Sequence, residues 1–132
     1  MPLIEFRNVS VTFDETPVLN DVSLNLSEQR IGIIGANGGG KSTLVRLING
    51  LGEPSRGEVL VDNMGVAKHG KEIRRRVGFV FSDAENQIVM PQVRDDVEFS
   101  LRRLKLPREE RTARVDAVLE RFGLEALAEQ SP

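Results

Sequence analysis

Apolar side chains fall at Ile4 and Phe6 and then at Val9, Val11 and Phe13, so the alternation along residues 3–13 changes phase near Asn8. Every second side chain of a strand shares one face, and a phase change of this kind predicts a strand carrying a bulge. Residues 14–17, Asp-Glu-Thr-Pro, are turn chemistry. Val22, Leu24 and Leu26 then alternate against Asp21, Ser23 and Asn25, the pattern of a half-buried strand, and the two segments together predict an antiparallel hairpin. Residues 30–35, Arg-Ile-Gly-Ile-Ile-Gly, show no alternation, and a short continuous apolar run predicts a strand buried on both faces. From Lys41 onward Leu44, Leu47, Ile48 and Leu51 recur at helical spacing until Gly50 and Gly52 end the helix. Residues 57–62 and 77–82 predict further strands. Val97, Leu101 and Leu104 share a helical face. The clearest helix is 107–123, with Pro107 near its start, acids in its first turn, a stripe of Val115, Val118, Leu119 and Phe122, and Gly123 closing it.

Composition narrows the classes. The 132 residues suffice for one small domain, and 39% hydrophobic with 29% charged residues is ordinary for a soluble globular chain. A formal charge of −2 gives no general attraction for nucleic acid or anionic lipid. With no cysteine there is neither a disulfide framework nor a Cys-based zinc site. No apolar run approaches the roughly 18 residues that a bilayer span requires, and the first ten residues do not read as a signal peptide. Any membrane role is expected to come through a partner.

Candidate chemistry centres on one loop. Gly35, Gly40, Lys41 and Ser42 satisfy the spacing G-x-x-x-x-G-K-[ST], with an apolar run before it and a helical pattern behind it. A phosphate must approach the backbone closely to accept N–H bonds, and side chains would block it, so such a loop is glycine. Asn37, Gly38, Gly39 and Gly40 would form the cradle, and the helix beginning near Lys41 would turn its free N–H groups and positive dipole end to the anion. Lys41 would reach the β- and γ-phosphate oxygens, Ser42 would ligate Mg²⁺, and Thr43 would bond the α-phosphate.

The stretch GANGGGKSTLVRLINGL followed by PSRGEVLVD resembles the ATP-binding subunit of ABC transporters, and the resemblance runs from IEFRNVSVTF through essentially the whole chain. VGFVFSDAENQIVMPQVRDDVEFSLRRLKLPREE resembles the energy-coupling-factor branch, which powers uptake of vitamins and of cobalt or nickel ions; FVFSDAENQIVMP looks most like the biotin-uptake ATPases. The resemblance implies an α/β fold, a P-loop NTPase with a RecA-like core, an N-terminal antiparallel β hairpin subdomain (1–29 and 56–63) and the start of a helical subdomain (92–132). Residues 30–52 would be the phosphate-loop strand and helix, and 77–91 the loop facing the transmembrane partner. It implies ATP and Mg²⁺ as ligands and Phe13 as the aromatic residue that stacks on adenine. It also implies head-to-tail pairing with a second ATPase subunit (homo- or heterodimer), contact with a transmembrane energy-coupling subunit through residues 82–91, indirect contact with a substrate-binding membrane subunit, and a peripheral place on the cytoplasmic face of the membrane.

The match departs from the family in two places. The family carries glutamine where this chain has Ser82, and two fewer carbons shorten the reach by about 2.5 Å, so Ser82 would touch the metal only through a water or not at all; Gln87 lies five residues on. Hydrolysis also needs an acidic pair at the end of a buried strand. Asp62 is followed by Asn63, and Ser82 intervenes before Asp83, so neither aspartate fits. His69, the single histidine, sits in a basic segment that is expected to be exposed. The signature loop, acidic pair and switch histidine have no counterpart, and the chain is expected to be the N-terminal portion of a longer subunit, an incomplete domain that leaves apolar faces uncovered. The leading function is thus ATP hydrolysis driving uptake. A nucleotide- or partner-binding module without turnover is the alternative, and a small P-loop kinase a third, which the hairpin before the phosphate loop disfavours.

Overall fold

The computed structural model describes residues 2–132, which form two compact units divided between Phe79 and Val80. Among the described residues, no helix is long and apolar enough to cross a membrane.

The first unit is built on a four-stranded antiparallel sheet of order β2-β1-β3-β4, with β1 Ile4–Phe13, β2 Thr16–Leu26, β3 Arg56–Val61 and β4 Met64–Gly65. Phe13 pairs with Thr16, so β1 and β2 are joined by a two-residue turn at Asp14 and Glu15. Both have positive φ (44° and 66°), the primed turn whose twist suits a hairpin. Asp62 and Asn63 repeat the device between β3 and β4, at φ 49° and 63°. The phase change near Asn8 is a bulge: the register shifts between Phe6 and Val9, and Asn8 takes φ 49°. That extra residue turns Phe6, Val9 and Val11 to one face, where all three are fully buried.

Helix α1, Lys41–Ile48, and helix α2, Val66–Arg76, contribute Leu47, Val66 and Ile73 to the same core, with Val59 and Val61 of β3. Gly50, at φ 73°, ends α1: its N–H donates to Leu47 O and that of Leu51 to Arg46 O, satisfying carbonyls the helix leaves open. Helix α2 has no counterpart in the sequence reading. It bends at His69 (φ −115°), which is exposed as expected.

Two expected strands are absent among the described residues. Residues 30–35 and 77–82 form no strand of the sheet. Their apolar patterns suit burial on both faces by neighbouring strands and helices. Here Ile34 is 99% and Val80 96% exposed, so no layer among the described residues covers them.

The second unit pairs α3, Val93–Phe99, with α4, Arg108–Phe122, around Val115, Leu119 and Ala128. Val97 and Leu101 pack on that cluster, but the helical face does not run on to Leu104, which is exposed beside a 3₁₀ turn, Arg102–Leu104. The expected stripe of α4 is narrower than four residues: Val115 and Leu119 are buried, Val118 and Phe122 exposed. Pro107 caps the start of α4 and Gly123, at φ 65°, its end. Arg94 pairs with Asp116 (2.8 Å) and Glu129 (3.2 Å); the Asp116 hydrogen bond chiefly, and its charge, raise the guanidinium pKa above its ordinary value.

Candidate functional site

The phosphate-loop motif forms a preshaped turn at the start of α1. The Gly39 N–H donates to Ala36 O at 3.0 Å, and Gly38 and Gly40 take φ 79° and 82°, a region that L side chains rarely enter. A Cβ on Gly39 would lie 2.9 Å from Ala36 O, and one on Gly40 3.0 Å from both Val18 O and Leu19 Cδ2. These two positions are therefore glycine because backbone or side chain already fills the space. Gly38 differs: a Cβ there would meet nothing within 4 Å, so its outer side is open.

Lys41 turns back into its own loop, its Nζ donating to Gly35 O at 2.7 Å and Ala36 O at 2.6 Å. The ammonium therefore sits on the loop axis. The first α1 N–H with a backbone acceptor is that of Leu44, to Gly40 O at 2.9 Å. Among the described residues, the amides of Gly38, Gly40, Lys41, Ser42 and Thr43 donate to no protein acceptor. Five unsatisfied donors and one ammonium converge on an exposed loop, an arrangement that suits an anion with several oxygens. Ser42 is exposed in the first turn of the helix and its hydroxyl is unengaged among the described residues. One hydroxyl, with phosphate oxygens and water, suits Mg²⁺, which holds on to several of its waters.

Asn37 lies exposed in the loop, and Phe13, 58% exposed, closes β1 at the hairpin turn instead of packing in the sheet core. Ser82 and Gln87 belong to the second unit, both exposed. Beyond them, Asp96 Oδ1 accepts the N–H groups of Val89 (2.9 Å) and Met90 (3.0 Å), fixing the stretch that displays Ile88 and Val89 to solvent.

The two aspartates that could be mistaken for metal ligands have structural work. Asp62 Oδ1 accepts the Leu3 N–H at 3.0 Å while its own N–H donates to Leu3 O, which ties the chain start to the β3–β4 turn. Asp83 accepts from the backbone and side-chain amides of Asn86, at the 3₁₀ turn Glu85–Gln87. The sequence reading missed Val18 and Leu19 as the floor beneath Gly40. Their place in an apolar strand was visible, but not that the loop would rest on them, since that contact links segments more than 20 residues apart.

The profile of the ABC transporter family matches residues 19–132. The chain belongs to that family. A Deinococcus radiodurans protein named for ABC transporter ATP binding is 51% identical over 122 residues, covering 92% of this chain and 54% of the relative. The biotin transport ATP-binding protein BioM of Rhizobium etli is 44% identical over 127 residues, covering 96% and 56%. The energy-coupling factor transporter ATP-binding protein EcfA1 of Oceanobacillus iheyensis is 41% identical over 122 residues, covering 89% and 44%. The solved structure of cbiO1 from Clostridium perfringens, part of the ABC transporter complex cbiONQ, superposes with a TM-score of 0.85 at 33% identity, covering 97% of this chain and 53% of that one. The chain spans about half the length of the curated relatives it matches. The fold is thus that of an ABC-type P-loop ATPase, and the similarity reaches the energy-coupling-factor and biotin-transport members, as the sequence resemblance implied.

Proposed function

We propose that this chain is the nucleotide-binding part of an ABC ATPase that drives uptake of a small nutrient, with biotin as first cargo. The observation that carries the reading is the set of five free amides around Lys41 at the start of α1. Gly38 and Gly40–Ser42 amides would hold the β- and γ-phosphates and Thr43 the α-phosphate, with Asn37 and Gly39 shaping the loop. Lys41 would leave Gly35 and Ala36 for the phosphate oxygens, and Ser42 would ligate Mg²⁺, which would neutralise charge on the triphosphate. Phe13 would stack on the base. The stretch 82–91, with Ile88 and Val89 displayed, would meet a transmembrane energy-coupling subunit, and through it a substrate-binding subunit. Two such ATPase subunits would close head to tail, on the cytoplasmic face of the membrane.

Biotin is favoured by the BioM relative; another vitamin, or a cobalt or nickel ion, is the alternative cargo implied by the energy-coupling resemblance. Reconstitution tests the reading. The complete subunit with its membrane partners is expected to take up labelled biotin only with ATP, and Lys41→Ala is expected to stop it. Uptake that needs no ATP, or ignores Lys41, rejects the mechanism; ATP-driven uptake of another cargo rejects biotin alone. A second reading, nucleotide binding without turnover, is favoured for these residues by themselves because Asp62 and Asp83 are engaged elsewhere.

Phe13→Ala is expected to weaken ATP binding by about 1–3 kcal/mol, the usual worth of a base–aromatic stack, while tripolyphosphate, which has no base, binds as before. Calorimetric titration with both ligands reads this directly. Equal affinity of wild type and variant for ATP would remove Phe13 from the site.

A further inference from the structure

Three adjacent strands depart from regular geometry at one level of the sheet. Asn8 in β1 and Asp21 in β2 both have φ 49°, and Gly57 in β3 has φ 80°. The β1–β2 register shifts between Phe6 and Val9 and again between Val9 and Val11, and the β1–β3 register between Arg7 and Ser10. Side chains replace the ladder here. Asn8 Nδ2 donates to Asp21 Oδ1 at 3.0 Å, Ser23 Oγ accepts the Asn8 N–H at 3.0 Å, and Ser10 Oγ accepts the Asp21 N–H at 3.0 Å. Bulges bend a strand and increase its twist, so this level fixes the angle at which the hairpin tip leaves the sheet.

The tip, residues 10–20, carries the proposed base platform and touches the phosphate loop. Phe13 stands at its end, and Val18 and Leu19 form the floor under Gly40. The loop's own shape is set internally by the Gly39–Ala36 turn, which does not depend on where Lys41 points. Val18 and Leu19 lie nearer the bulge than Phe13, so a change in tip angle would displace Phe13 more than the floor under Gly40 and leave the loop's internal turn in place.

We propose that the Asn8–Asp21 side-chain pair is a positioning element for the nucleotide base, acting through Phe13 by fixing the angle of the hairpin tip across the bulge. This rests on the reading of Phe13 as the base platform. Glycine tolerates positive φ at least as well as Asn or Asp, so Asn8→Gly and Asp21→Gly remove the hydrogen bond that holds the angle without adding steric strain at either position. Asp21→Asn keeps an acceptor oxygen at the same place.

The experiment measures Mg²⁺-dependent affinity of the full chain for ATP and for tripolyphosphate, in wild-type and Phe13→Ala backgrounds. Asn8→Gly and Asp21→Gly are each expected to weaken ATP roughly 3–10-fold and to change tripolyphosphate less than about 2-fold, the range of coupling between neighbouring groups. Neither should weaken ATP further once Phe13 is alanine, and Asp21→Asn should bind as wild type. Retained tripolyphosphate binding reports that the variants are folded. Equal losses for both ligands, no loss for either, or a loss that adds fully to that of Phe13→Ala would each overturn the proposal. If Phe13→Ala alone leaves the ATP-to-tripolyphosphate ratio unchanged, the base platform fails and this inference with it. If that ratio falls in Phe13→Ala but not in the glycine variants, only the inference fails.

Discussion

Lys41→Ala is expected to lower ATP turnover of the complete subunit by about 10²–10³-fold, the usual cost of removing one preorganised charge from a transition state. The lysine is the one cation the loop places on its axis, already held by the carbonyls of Gly35 and Ala36. As the bond to the transferred phosphoryl group loosens, charge shifts onto the leaving β-phosphate oxygens, so an ammonium placed between the β- and γ-phosphates favours the transition state over the bound substrate. Alanine also removes the two bonds that brace the loop. These are exposed, and their loss is expected to change the melting temperature little. Steady-state phosphate release, with circular dichroism melts of both proteins, separates the two effects. Turnover within about 3-fold of wild type would mean that Lys41 does not touch the phosphates, because electrostatic stabilisation of this kind is rarely so weak.

Gly57→Ala is expected to destabilise the first unit by about 2–5 kcal/mol, combining the left-handed penalty with overpacking. Its φ is 80°, and an added Cβ would lie 2.3 Å from Asn8 O and 2.4 Å from Arg7 O, both backbone atoms of the neighbouring strand. Relief requires β1 and β3 to part at the bulge, and Val59, Val61 and Phe6 lie in the core beside it. Domains are stable by only about 5–15 kcal/mol, so the loss is a large share of the total. Gly38→Ala is the control: the same sign of φ, but nothing within 4 Å, so only the penalty of about 1–2 kcal/mol remains. Urea denaturation of the three proteins checks this, and similar midpoints for Gly57→Ala and Gly38→Ala would refute the steric account.

Much of the first unit was legible because its signals are local. The bulge at Asn8 shows as a change of phase, since two apolar positions three apart cannot otherwise share a strand face. The Asp14-Glu15 turn, the glycine spacing of the loop and the helix stop at Gly50 each announce themselves within a few residues. The buried strands expected at 30–35 and 77–82 did not form, because an unbroken apolar run states only that neighbours are wanted. Among the described residues Ile34 and Val80 lie in the open, while Val77 packs against the sheet core. Helix α2 was illegible for the opposite reason. Five basic residues, Gly70 and a single fully buried side chain, Ile73, mask its apolar face. At the site, the sequence names Lys41 and Ser42 but not the floor under Gly40 or the tie from Asp62 to Leu3, since both link segments far apart in the chain.

Titration of ¹⁵N-labelled protein with Mg²⁺-ATP, followed amide by amide, tests the account at its centre. The resonances of Gly38, Gly40, Lys41, Ser42 and Thr43 are predicted to move most and to saturate together, and tripolyphosphate is predicted to move the same set. Shifts that never saturate, or that spare those five amides while others respond, would contradict it.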